Sequence, residues 1–119
     1  MIFKTFDEYL KIKEKVSKEL SGKFGCIVEF NGYVREYDIV NRNEVPTSGL
    51  NIKDEVFFHL PKIREKAIEK FGLLEVLVYH NQGFLKVGER VTAIAIFAKR
   101  RFEAFSALEF IISEIKKYH

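Results

Sequence analysis

The run Val91-Thr92-Ala93-Ile94-Ala95-Ile96-Phe97-Ala98 contains one polar residue. A segment that apolar has no side to turn to water, so it predicts a strand covered on both faces and central in its sheet. Such a strand needs neighbours on both edges and layers above and below it. With 119 residues, 47% of them hydrophobic, the chain can supply that cover within a single domain spanning 1–119.

The flanking sequence reads as those layers. Phe6 to Leu20 predicts an amphipathic helix whose inner face carries Phe6, Tyr9, Leu10, Val16 and Leu20, with Lys13 as a polar interruption. Thr5 is its N-cap, Glu8 completes a capping box, and Ser21-Gly22-Lys23 ends it. Phe24 to Arg35 is strand-like, and Gly32 within it predicts a bulge or a close backbone approach. The polar stretch 36–50 reads as a mobile loop. Asp54 to His59 reads as a short strand, followed by a helix over 61–71 with Pro61 in its first turn and Gly72 as its stop. Leu74–His80 and Phe84–Val87 are further strands, and a last helix runs from Arg101 or Phe102 to Lys117. The order is α-β-β-α-β-β-β-α, an α+β layout with an antiparallel or mixed sheet.

Composition excludes several classes. No apolar run reaches the ~20 residues of a membrane span, and Met1-Ile2-Phe3-Lys4 has no signal-peptide character, so a cytoplasmic protein without membrane contact is expected. Cys26 is the single cysteine, and His59, His80 and His119 are scattered, so neither a metal site nor a cofactor is expected. A net charge of +3 without a basic stripe argues against nucleic acid. No nucleophile elbow, P-loop or dinucleotide fingerprint is present.

The informative charges are local. Arg35 follows a glycine-containing strand. Arg100 and Arg101 sit at a helix start, where positive charge opposes the macrodipole and an anion would relieve the misfit. Lys116 borders the apolar face of the same helix near its end. There it serves a ligand, or it snorkels outward and complements the helix C-terminus. At ~1.5 Å rise per residue, Arg101 and Lys116 lie roughly 22 Å apart. They cannot grip one small ligand from one chain, so a site using both is shared across a homodimer.

Four segments resemble a known family. Phe30-Asn31-Gly32-Tyr33-Val34-Arg35 resembles the Phe-x-Gly-x-Val-Arg strand of molybdopterin synthase large (catalytic) subunits. His80 to Glu89 resembles their His-Arg-x-Gly-x-x-x-x-Gly-Glu turn, with Asn81 in place of the Arg. Ala98 to Phe105 is similar to their Ala-x-His-Arg-x-x-Ala-Phe helix start, with Arg100 in place of the His. Ile112-Ser113-Glu114-Ile115-Lys116 is similar to the helix end that carries their active-site lysine. The resemblance covers about residues 4–118.

The resemblance implies an α/β-hammerhead-like fold and a homodimer at the centre of a heterotetramer. Each large subunit holds a ubiquitin-like small subunit whose Gly-Gly tail ends in a thiocarboxylate. Sulfur passes from that tail to cyclic pyranopterin monophosphate, and two rounds make molybdopterin. On this chain the resemblance implies Lys116 as the catalytic residue beside the transferring sulfur. It implies Phe30, Arg35 and Ile112 as substrate-binding residues of the same pocket, Arg101 as a phosphate-binding residue reaching in from the other subunit, and Arg100, in the place of the family's His, as a substrate-binding residue that keeps an anion-binding charge. The family's second active-site lysine lies in a later segment with no counterpart up to His119. A second reading is therefore a shortened, catalytically weakened homologue that serves as a scaffold or regulator for a ubiquitin-like partner.

Overall fold

In the computed structural model, which describes residues 1–119, β1 (Ile2–Phe3) leads into α1 (Phe6–Glu19) and the long β2 (Cys26–Tyr33). Three short strands follow, β3 (Tyr37–Val40), β4 (Asn43–Pro46) and β5 (Gly49–Ile52), then α2 (Glu55–Phe71). The chain closes with β6 (Glu75–His80), β7 (Gly83–Lys86), β8 (Arg90–Ala98) and α3 (Arg101–Lys116). The main sheet has the order β1-β6-β8-β2, with β1 parallel to β6 and the other pairs antiparallel. This is the expected α+β class with a mixed sheet.

β8 occupies the interior position its composition demands, and every residue from Val91 to Ala98 is buried. Its two faces feed different layers. Ile94, Ile96 and Ala98 join Val76 and Val78 of β6 in a large core under α2 and α3. Ala93, Ala95 and Phe97 join Leu77 and Tyr79 in a smaller core under α1. The small alanines on the α1 side leave room for Phe3 and Tyr9, which meet edge to face at 6.3 Å. α3 buries Ala104, Ala107, Ile111 and Ile115 at helical spacing, and so lies flat on β2 and β8 beside α2.

α1 begins as expected. The Thr5 hydroxyl accepts from the Glu8 backbone N–H, and Leu20 is the C-cap. The expected strand at Asp54–His59 is instead the first turns of α2, which starts six residues before Pro61. Val56, Leu60, Ile63 and Ala67 form one buried stripe through the whole helix. An interior proline costs about 3 kcal/mol. Burying a Val, Leu or Ile side chain contributes about 1.5–3 kcal/mol each, so the stripe outweighs the break.

The stretch 36–50, expected as a loop, holds β3, β4 and the start of β5. Asn41 and Arg42 both have positive φ, as a two-residue hairpin turn requires. All eight residues of β3 and β4 are exposed, so no hydrophobic alternation marks them in the sequence. β5 pairs with β7, and Gly49 is needed there because a Cβ would lie 2.4 Å from the Leu85 carbonyl oxygen. The irregularity expected at Gly32 is found between Gly32 and Tyr33, but the extra residue is on the opposite strand. Gly32 pairs with Thr92 and Tyr33 with Arg90, which leaves Val91 without a partner. No helix is long and apolar enough to cross a membrane.

Candidate functional site

β2, β8 and the end of α3 leave a cavity of about 430 Å³ between them. β2 and its exit contribute Phe30, Asn31, Gly32, Tyr33 and Arg35. β8 contributes Val91, Thr92 and Ile94, and β5 closes one side with Leu50. Ile112, Ile115, Lys116 and His119 come from α3 and the residues after it. The lining holds two permanent cations, Arg35 and Lys116, and no Asp or Glu side chain, so the cavity suits an anion. A wider depression of about 710 Å³ is formed by residues from Leu10 to Ser21 alone. It is the solvated face of α1 and the turn after it, Lys, Glu and Ser for the most part, and gathers nothing from the rest of the fold.

Arg35 is placed by the turn before β8. The Val34 N–H donates to the Glu89 carbonyl at 2.9 Å, and the Gly88 N–H donates back to the Val34 carbonyl at 2.8 Å. Gly88 adopts φ +89°, and the Glu89 carboxylate accepts from the Lys86 N–H at 2.6 Å. Thus the Gly88-Glu89 turn fixes buried Val34 and, beside it, the exposed Arg35. The Arg35 guanidinium lies 3.6 Å from the Asp38 carboxylate, and both are exposed. A surface pair of that kind contributes about 0–1 kcal/mol, so Arg35 is free to exchange Asp38 for a bound anion.

Lys116 follows buried Ile115 and lies one turn beyond Ile112. It makes no ion pair, whereas its neighbour Lys117 is held by Glu114. Phe30, Arg35, Ile112 and Lys116, four residues singled out in the sequence, therefore line one cavity. Arg100 and Arg101 do not. Both are exposed at the far end of α3, where Arg100 lies 3.4 Å from Glu103. Glu103 in the first turn offsets part of the unfavourable charge at that helix start.

The sequence does not show the contact that joins His119, which lines the cavity, to the buried His80. His80 is fully buried at the end of β6, and its Nδ1 is 2.7 Å from the Asn81 carbonyl oxygen. A carbonyl only accepts, so Nδ1 carries the proton. His80 Nε2 is then an acceptor, 3.1 Å from His119 Nε2, which must be the donor. Burial lowers the His80 pKa to about 4, with the Asn81 hydrogen bond opposing and His119 assisting, so the ring is neutral. Partial burial and the Lys116 charge also lower the pKa of His119. The segment after α3 is pinned by Tyr118, which stacks on His59 with centroids 3.7 Å apart. His80 stands at the head of a motif segment, but a partner 39 residues away leaves no local signal. No group of three or more His, Cys, Asp or Glu side chains is arranged to hold a metal ion.

The family model described as MoaE protein matches residues 5–118. An uncharacterized protein of Methanocaldococcus jannaschii is 47% identical over 119 residues, all of both chains. The molybdopterin synthase catalytic subunit of Pyrococcus abyssi is 32% identical over 92% of this chain and 74% of its own length. Among solved structures, a chain in the complex of subunits 1 and 2 of the molybdopterin-converting factor from Helicobacter pylori superposes with a TM-score of 0.64. It is 22% identical and overlaps 97% of this chain and 75% of that one.

Proposed function

The chain belongs to the MoaE protein family, and from that premise we propose that it acts as the catalytic subunit of a molybdopterin synthase. It takes sulfur from the thiocarboxylated Gly-Gly tail of a ubiquitin-like small subunit and delivers it to cyclic pyranopterin monophosphate. The observation that carries this reading is the cavity itself. Phe30 and Arg35 on one side and Ile112 and Lys116 on the other stand around one anion-favouring space.

The roles follow from the chemistry. An extended Gly-Gly tail has no side chains, so it fits a cavity of about 430 Å³, and Phe30 and Ile112 give it apolar walls. Lys116 sits beside the acyl carbon and offers an ammonium to the charge that develops on its oxygen when water adds, before the carbon–sulfur bond breaks. Arg35 holds an anionic group of the substrate, where the guanidinium fork matches two oxygens. Arg100 and Arg101 lie about 22 Å away along α3, so they hold the phosphate in the site of a second subunit. The functional unit is accordingly a dimer of this chain with one small subunit at each end. The Helicobacter pylori complex, in which two different subunits associate, supports a two-component enzyme.

Single-turnover conversion of cyclic pyranopterin monophosphate, with a thiocarboxylated small subunit from the same source, tests the proposal. Molybdopterin formed in proportion to small subunit is the expected result. Tight binding of the small subunit without any product would instead identify a scaffold.

A further inference from the structure

Sulfur transfer has a second half in which neither Lys116 nor Arg35 serves as the base. Once the sulfur has bonded to a pterin carbon it is still joined to the acyl carbon of the tail. Water must add to that carbon. The acyl carbon–sulfur bond then breaks, the tail leaves as a carboxylic acid and the sulfur stays on the pterin as a thiolate. Adding water needs an acceptor for its proton, and Lys116 as an ammonium is none.

We propose that His119, oriented by His80, takes that proton on Nδ1 and is the general base for release of the tail, an inference that rests on the sulfur-transfer reading. The hydrogen-bond chain fixes the tautomer. The Asn81 carbonyl commits His80 Nδ1 to a proton, and His80 Nε2 then commits His119 Nε2 to one. Neutral His119 therefore keeps its lone pair on Nδ1, which has no hydrogen-bond partner within the protein, and the residue lines the cavity. Gaining a proton at Nδ1 leaves the Nε2–H bond to His80 intact, so the base can charge without losing its support. His80 is the positioning residue, held by burial and by an edge-to-face contact with the Phe57 ring, centroids 5.8 Å apart.

The charges around His119 suit a base. Lys116 comes from α3 and Arg35 from the exit of β2, both cationic; Tyr33 on β2 and His80 on β6 are neutral; and His59 on α2 stands behind Tyr118. Partial burial and the Lys116 charge lower the pKa of the imidazole and so favour its neutral form. The proton it accepts is then balanced by the thiolate formed beside it.

Two measurements decide the matter. Long-range ¹H–¹⁵N spectra of histidine-labelled protein at pH 7 should show His119 with its proton on Nε2. A proton on Nδ1 would overturn the proposal, whatever the protein's activity. In single turnover, His119→Gln keeps a donor for His80, so its melting temperature should match the wild type. It should release the tail about 10²–10⁴-fold more slowly. A covalent adduct of small subunit and pterin should accumulate in mass spectra, and the acidic limb of the pH–rate profile should disappear. A variant within twofold of wild type, with the same limb and no adduct, would remove His119 from the reaction and leave the sulfur-transfer reading standing. A wild-type protein that makes neither product nor adduct would remove both.

Discussion

Lys116 and His80 differ in how deeply the fold depends on them. Lys116 is exposed and unpaired, so Lys116→Ala should leave urea unfolding unchanged within about 0.5 kcal/mol. If it stabilises the departing acyl group, the same change should slow single turnover about 10²–10³-fold. A large loss of stability would give it a structural role instead. His80 is the reverse case. Its folded pKa, lowered to about 4, lies below the ordinary value of 6.5, so below pH 6.5 the unfolded chain binds more protons than the folded one. Stability is therefore full above pH 6.5 and falls as pH drops toward 4. The loss is on the order of 3 kcal/mol over that interval. Melting curves between pH 7.5 and 4 should show this decline in the wild type and a flatter one in His80→Gln. Phe30, Arg35, Ile112 and Lys116 were legible in the sequence because each lies in a segment whose neighbours repeat a family spacing. The bond between His80 and His119 was not, because it joins a strand end to the residues after the last helix.

Among the elements, the caps and long apolar patterns were readable, and the fully exposed strands β3 and β4 were missed. The termini of α1 and the central place of β8 follow from a cap and from an unbroken apolar run. The start of α2 was misread because a short window containing Val56 and Phe58 mimics strand alternation, and because Pro61 marks a helix start more often than a seventh position. Only the stripe continuing to Ala67 separates the two readings. β1 has two residues, too few for any periodicity. β3 and β4 have no buried residue, yet their turn residues Asn41 and Arg42 were a usable signal. β5 carries Leu50 into the cavity wall and depends on Gly49, so Gly49→Ala should force β5 and β7 apart. Urea unfolding should register about 1–3 kcal/mol of destabilisation. No change would mean that the pair relaxes without strain.

For the molecule as a whole, the length of α3 is decisive. Its two ends present Arg101 and Lys116 to different places, so a site that uses both belongs to two chains. Purified mixed dimers of Arg101→Ala with Lys116→Ala should regain about half the wild-type sites, whereas either variant alone is inactive, since one site in each mixed dimer keeps both residues. Mixed dimers as inactive as their parents would show that the two residues never meet. The cavity itself depends on something smaller. A strand is an alternating signal with a period of two, and the unpartnered Val91 advances that signal by half a period. Beyond it, Arg90 falls on the α1 layer, 4.0 Å over the Phe6 ring and bonded to Asn31, while Val91 takes the cavity side. Were Val91 paired with Tyr33 in a regular ladder, the original phase would continue and the Arg90 guanidinium would lie across the sheet, opposite Val34. The cavity would then gain a third cation, one that no motif in the sequence places there.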